Sequence, residues 1–293
     1  MIFPGGAFSL DGRTLRGRVG WSTYPVMVSS PIGPMVPSGP IVPSGPVVPS
    51  PVGPAGPAKP DVSQVGPSRS PAKPRIPNVL DQITGPVARI EVEGRYQNVH
   101  VIGADFSRVA VGHVEVAAAR LERVDLAGAQ LPGVVVRDVA IDRGDWSNVV
   151  AYQAHLTRST LHGVRLTGAQ IIDSGLSDVV FEEAKLDLAV FRSSRLRRVE
   201  FRGCNLARAD FANASIGGAT FIDCDLAGAQ FSQARAEGTR FSHCELDGIG
   251  GVTSLRGASM SNDDLVLLTR VFAKALGIEI VDAIGDSRDS PSG

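Results

Sequence analysis

The chain has little of what marks a catalyst, a membrane protein or a disulfide-stapled secreted domain. Three cysteines in 293 residues are too few for a disulfide framework. Aromatic residues make up only 5%, and no apolar run approaches the roughly 18 residues needed to cross a bilayer. Met1 to Gly6 lack a basic stretch leading into an apolar core, so no secretory leader is expected and the cytoplasm is the expected compartment. A formal net charge of -1 argues against direct binding of nucleic acid or anionic membrane. No Gly-x-x-x-x-Gly-Lys loop or nucleophile elbow occurs. His100, His113, His155, His162 and His243 have no partners at metal-ligand spacing. The sequence therefore nominates no catalytic, cofactor-binding or metal-binding residue, and the protein is expected not to be an enzyme.

What is present divides near residue 80. Seventeen of the 20 prolines lie in residues 1–80. They recur at every third position from Pro31 to Pro49, then resume from Pro51 to Pro60. Polyproline II has three residues per turn, so this spacing lines prolines along one edge of an extended helix. Collagen is excluded, because Gly33, Gly39 and Gly45 come at every sixth position rather than every third. Three readings stay open: a disordered semi-stiff tail, a ligand for a proline-reading domain through Pro37 to Pro40, or a gene start placed upstream of Met27 or Met35.

Beyond residue 80 the signal is a repeat. Stepping by five from Val101 to Leu246 gives 30 positions, all apolar and 28 of them larger than alanine. Two residues before each lies a second series, such as Ala104, Ala129 and Ala209, holding only Ala, Val, Ser, Thr, Cys or Gly. A period of five fits neither a helix nor a plain strand. It requires a backbone that turns a corner every five residues and puts one large and one small side chain inside. The three other positions are expected to face water.

Cys204, Cys224 and Cys244 recur at every twentieth position in the small series. Phe181, Phe201, Phe221 and Phe241 share that spacing in the large series, as do Phe191, Phe211 and Phe231. Four pentads therefore make one coil, with like residues stacked about 4.8 Å apart along the axis. These ten residues are the expected structural core. The same spacing predicts an exterior column Asp138, Arg158, Asp178, Arg198 of alternating charge, and a buried, inert cysteine column.

Segments such as Cys204-Asn205-Leu206-Ala207-Arg208-Ala209-Asp210-Phe211 and Cys224 to Phe231 resemble the A(D/N)LxX pattern of pentapeptide-repeat proteins. The resemblance covers residues 96 to 260. It implies an all-β fold, a right-handed quadrilateral parallel β-helix. Valine at the small position (Val109, Val114, Val124) is expected to widen the first coils. Trp146 is read as a large core filler.

A solenoid needs capped ends. Val87 to Tyr96 is expected to form a strand over the first coil. At the other end Leu255 and Met260 come one residue early. Ser261 or Asn262 then caps a helix with apolar stripe Leu265, Leu268, Phe272 and Leu276, ended by Gly277, with a short strand at 278–281. Leu255 to Ala258 with Ala275 to Ile278 resembles the C-terminal tail of a subset of bacterial pentapeptide-repeat proteins. The helix reads either as an intramolecular lid or as a homodimer contact. The expected layout is a disordered Pro-rich tail at 1–80, a solenoid with its N-terminal cap at 81–260, a capping helix and strand at 261–283, and a disordered tail at 284–293.

A rod of this kind points to a structural or protein-interaction scaffold with an unidentified protein partner. Arg192, Arg195, Arg197, Arg198 and Arg202 crowd one region and form the candidate interaction surface. The resemblance also suggests an alternative, a DNA-mimic modulator of a type II topoisomerase of the quinolone-protection type. Such mimicry needs a markedly acidic surface, yet residues 95–250 hold 19 acidic and 17 basic side chains, a net of -2.

Overall fold

The computed structural model describes residues 70–84, 90–275 and 277–278. The proline run from Pro31 to Pro60, Leu276 and the strand expected at 278–281 fall wholly or mostly outside these residues. The described residues all belong to one compact unit, Pro60–Gly293.

The architecture follows from one corner repeated. From Asn98 to Gly248, every fifth residue has a positive φ, as in Asp138 at 57° and Gly128 at 68°. Each lies two residues after a large inward side chain and one before a small one. Left-handed backbone is cheap for glycine and tolerable for Asn and Asp, and ten glycines occupy these corners. Every corner turns the chain, so four of them close a coil.

Coils then pair edge to edge in one parallel sheet. Its first strands are β1 (Asp81–Thr84), β2 (Arg95–Gln97) and β3 (Val99–Ile102). Five longer strands follow: β4 (Glu115–Glu122), β5 (Val135–Asp142), β6 (His155–His162), β7 (Gly175–Glu182) and β8 (Arg195–Arg202). Short strands β9 (Thr220–Ile222), β10 (Arg240–Ser242) and β11 (Ser259–Met260) complete about nine turns. The register is constant through the middle: Leu156 pairs with Leu176 and Leu176 with Leu196. The end coils are shorter. Ile83 pairs with Val101, where a full coil would bring Gly103, and Phe241 pairs with Met260, where a full coil would bring Ser261.

The interior is the apolar series. Only Phe106, Val116 and Leu121 of the 30 large positions are half-buried, and the rest are buried. Phe181, Phe201, Phe221 and Phe241 stack with ring centroids 4.9, 4.9 and 5.0 Å apart. Phe191, Phe211 and Phe231 form a second stack at 5.1 and 5.3 Å, and the two stacks meet edge to face. Each buried Phe contributes roughly 1.5–3 kcal/mol from area alone, and favourable ring geometry adds about 0.5–1.5 kcal/mol per pair.

The first coils are looser. Valines there leave an apolar cavity of about 130 Å³, bordered by residues from Ile83 to Phe181, so the solenoid is not filled along its whole length. Trp146 occupies its inward position but also donates its indole N–H to the Val124 carbonyl at 3.1 Å. Gly144 lets the backbones approach there, since a Cβ on Gly144 would sit 2.3 Å from that carbonyl oxygen.

Three expectations about the ends are corrected. The first coil is covered by β1, not by a strand at 87–96; among the described residues of that stretch, only Arg95 and Tyr96 are in strand, in β2, which pairs with β4. Residues 85–89 lie outside the described residues. The C-terminal helix is two short pieces, α1 (Asn262–Leu267) and α2 (Thr269–Ala275). Ser261 is the N-cap and accepts from the Asp264 amide at 3.2 Å, while Gly277 has the left-handed φ of 71° expected past a helix end. Finally, residues 70–80 do not behave as tail. They run extended along the solenoid wall as a strap that leads into β1. The Ala72 amide donates to Asp178 Oδ1 at 3.1 Å and the Arg75 amide to Asp138 Oδ1 at 3.0 Å.

Candidate functional site

The outer wall carries the chemistry, and its spacing is set by the coil. Arg158 grips Asp138 with two hydrogen bonds of 2.7 and 2.6 Å, and Arg198 grips Asp178 with two of 2.6 Å. Each pair joins neighbouring coils, as the column of alternating charge requires. The bidentate hydrogen bonds from Arg158 and Arg198 hold both carboxyls below the usual aspartate range, and strap amides reinforce them against the opposing effect of burial. Asp138 and Asp178 are 9% and 7% exposed, because the strap covers them. The expectation that every charged position faces water fails at this column.

The five arginines of the candidate surface lie close together on and around β8. Three are engaged within the chain. Arg192 pairs with Asp210 at 2.6 Å, Arg198 with Asp178, and Arg202 with the buried Glu200. Arg195 and Arg197 are exposed and make no ion pair among the described residues. Elsewhere His162 bonds Asp142 at 2.9 Å, and that contact raises its pKa.

Cys204, Cys224 and Cys244 are buried free thiols. Each Sγ lies 3.2 to 3.5 Å from two backbone carbonyls, for Cys224 those of Phe201 and Ile222. The hydrogen bond shared with Cys204, together with burial, pushes the Cys224 thiol up to about 12. A thiol held there is neutral and unreactive at ordinary pH. Among the described residues no group of three His, Cys, Asp or Glu could hold a metal ion.

The C-terminal end is closed from within. Leu268 is fully buried, and Phe272 packs half-buried against the core. Leu265 is 50% exposed and points away, and Leu276 lies outside the described residues. Asp264 lies in the first turn of α1, and its part in closing the solenoid was not anticipated. Its carboxylate accepts from the Cys244 amide at 2.8 Å and so replaces the next coil. Ser174 and Ser194 do the same for Ala154 and Ser174 inside the rod. The signal was its place, one full coil after Cys244 in the small series. The strap contacts left no such signal, because both donors are backbone amides.

The geometry defines a parallel β-solenoid with four pentads to a coil. Residues 154–231 match the family model described as a pentapeptide repeat region, and that stretch forms a parallel β-helix of pentad coils. No curated protein matches the chain. Several solved structures do. HetL, a pentapeptide repeat protein involved in heterocyst differentiation regulation from the cyanobacterium Nostoc sp. strain PCC 7120, is 19% identical with a TM-score of 0.40. The match covers 62% of this chain and 88% of HetL. QnrB1, a plasmid-mediated fluoroquinolone resistance protein, is 18% identical over 69% of this chain and 99% of its own, with a TM-score of 0.30. Rfr23 from the cyanobacterium Cyanothece 51142 is 14% identical over 58% and 91%, with a TM-score of 0.13.

Proposed function

We propose that the protein is a non-enzymatic scaffold that docks a partner protein on the lateral faces of the solenoid. One observation carries the reading. The interior is apolar, whereas charged side chains ride outside in columns of fixed spacing, leaving Arg195 and Arg197 exposed on one face. Catalysis needs titratable groups converging in a pocket. Recognition needs a rigid surface with side chains held in register. The topoisomerase reading has less support, because residues 95–250 hold nearly balanced acidic and basic side chains, and Arg158, Arg198 and Arg192 pair with Asp138, Asp178 and Asp210.

The test is a pull-down with the full chain and with R195E/R197E. Charge reversal at a docking face should remove a specific partner while the melting temperature stays unchanged. Identical captured proteins for both forms would contradict docking at this face.

A further inference from the structure

The strap is held in a way that specifies its spacing and little else. Among the described residues, its two hydrogen bonds to the aspartate column come from main-chain N–H groups, those of Ala72 and Arg75, and the Arg75 charge also favours the Asp138 carboxylate. Each donor directly follows a proline, Pro71 or Pro74, and Pro77 continues the series. The acceptors, Asp138 and Asp178, stand two coils apart in one column. Two coils rise about 9.6 Å, and three residues of a proline-spaced extended chain advance about 9.3 Å. The wall is thus a ruler whose step matches a proline at every third residue.

The acceptors are built without the strap. Asp138 and Asp178 take their orientation from the guanidinium groups of Arg158 and Arg198 in the next coil. The groove beneath Ser70 to Ile76 is walled by Arg120, Ala140, Thr160, Val180, Glu200 and Arg202. The ruler ends at Asn98, whose carbonyl takes the Asp81 amide at 2.8 Å where the strap becomes β1.

We propose that this groove is a receptor for extended segments with proline at every third residue. Ser70–Pro77 is its tethered occupant, displaced when a partner presents a segment of the same spacing. The inference rests on the scaffold reading and deepens it by adding a second docking face, beside the aspartate column, and the chemistry of the partner it takes. Recognition through main-chain donors explains how a foreign segment can replace the native one, since the strap's side chains make neither of the two hydrogen bonds to the groove. The tether explains why the resident wins by default: a linked segment acts at millimolar effective concentration.

The test uses the full chain and a fluorescent peptide with the sequence of residues 70–79. In one variant, A72P/R75P, proline removes both N–H donors while keeping the extended backbone, which opens the groove and leaves Asp138 and Asp178 untouched. Peptide binding is read by anisotropy, with thermal melting as the check on folding. The opened variant should bind the peptide at least about tenfold more tightly than wild type, a difference of about 1.4 kcal/mol. The same peptide N-methylated at the residues matching Ala72 and Arg75 should not bind. Equal binding of the peptide to both proteins, or equal binding of the methylated peptide, overturns the proposal. Should the peptide fail while the R195E/R197E pull-down still separates partners, this receptor falls and the scaffold reading stands.

Discussion

An inward side chain in this solenoid has its size set by neighbours above and below it. Phe211 is fully buried, stacked on Phe191 and Phe231 and edge-on to Phe201 and Phe221. Removing the ring leaves a hole that the neighbouring coils cannot close, because their corners fix the spacing. Phe211→Ala should therefore cost about 3–5 kcal/mol in a denaturant titration, and Phe211→Asp should not fold. A loss under about 1 kcal/mol for the alanine variant would mean that position 211 does not point inward. This layer was legible in the sequence, since a large apolar residue every fifth position has no other use. The left-handed corners were also written there, as glycines two residues after the large positions, but that signal is weaker. Arg, His and Leu188 fill some of those corners too, because tertiary packing overrides their preference.

At the scale of elements, the sequence revealed the middle of the rod better than its ends. Inside, each coil is templated by two others and cannot change length. At an end one neighbour is missing, and the shortened coils before Val101 and before Met260 become feasible. The strap was hidden for a different reason. It is held by amides, which every residue except proline carries, so its side chains do not report the contact. Its carboxylate partners do make a testable statement. Asp138 and Asp178 are held below their ordinary range, first by Arg158 and Arg198 and then by the strap amides. A depressed carboxylate contributes stability that is complete above its unfolded value, about 3.9, and disappears as pH falls through the folded value. As the pH is lowered from about 5, the melting temperature of wild type should accordingly fall more steeply than that of D138N/D178N, which lacks both titrations. Parallel curves would show that these pairs add nothing to folding.

At the scale of the whole solenoid, one geometric rule organises core and wall between residues 95 and 250: residue n lies beside n−20 and n+20. The strap groove, the charge column and the Asp264 cap all inherit their spacing from it. Function was less legible than fold because the rule says where side chains stand and not what meets them. Spin labels at outward-facing positions test the rule without a crystal. Cys204, Cys224 and Cys244 would first be replaced by alanine, the residue already present at Ala209, Ala219 and Ala229 in the same series. Pairs of labels at 117 and 197, 137 and 237, and 117 and 237 are four, five and six coils apart. Pulsed electron-electron resonance should give distances rising in equal steps of about 4.8 Å, to roughly 19, 24 and 29 Å. Distances that fail to rise with each added coil, or one broad distribution shared by all three pairs, would contradict the rule.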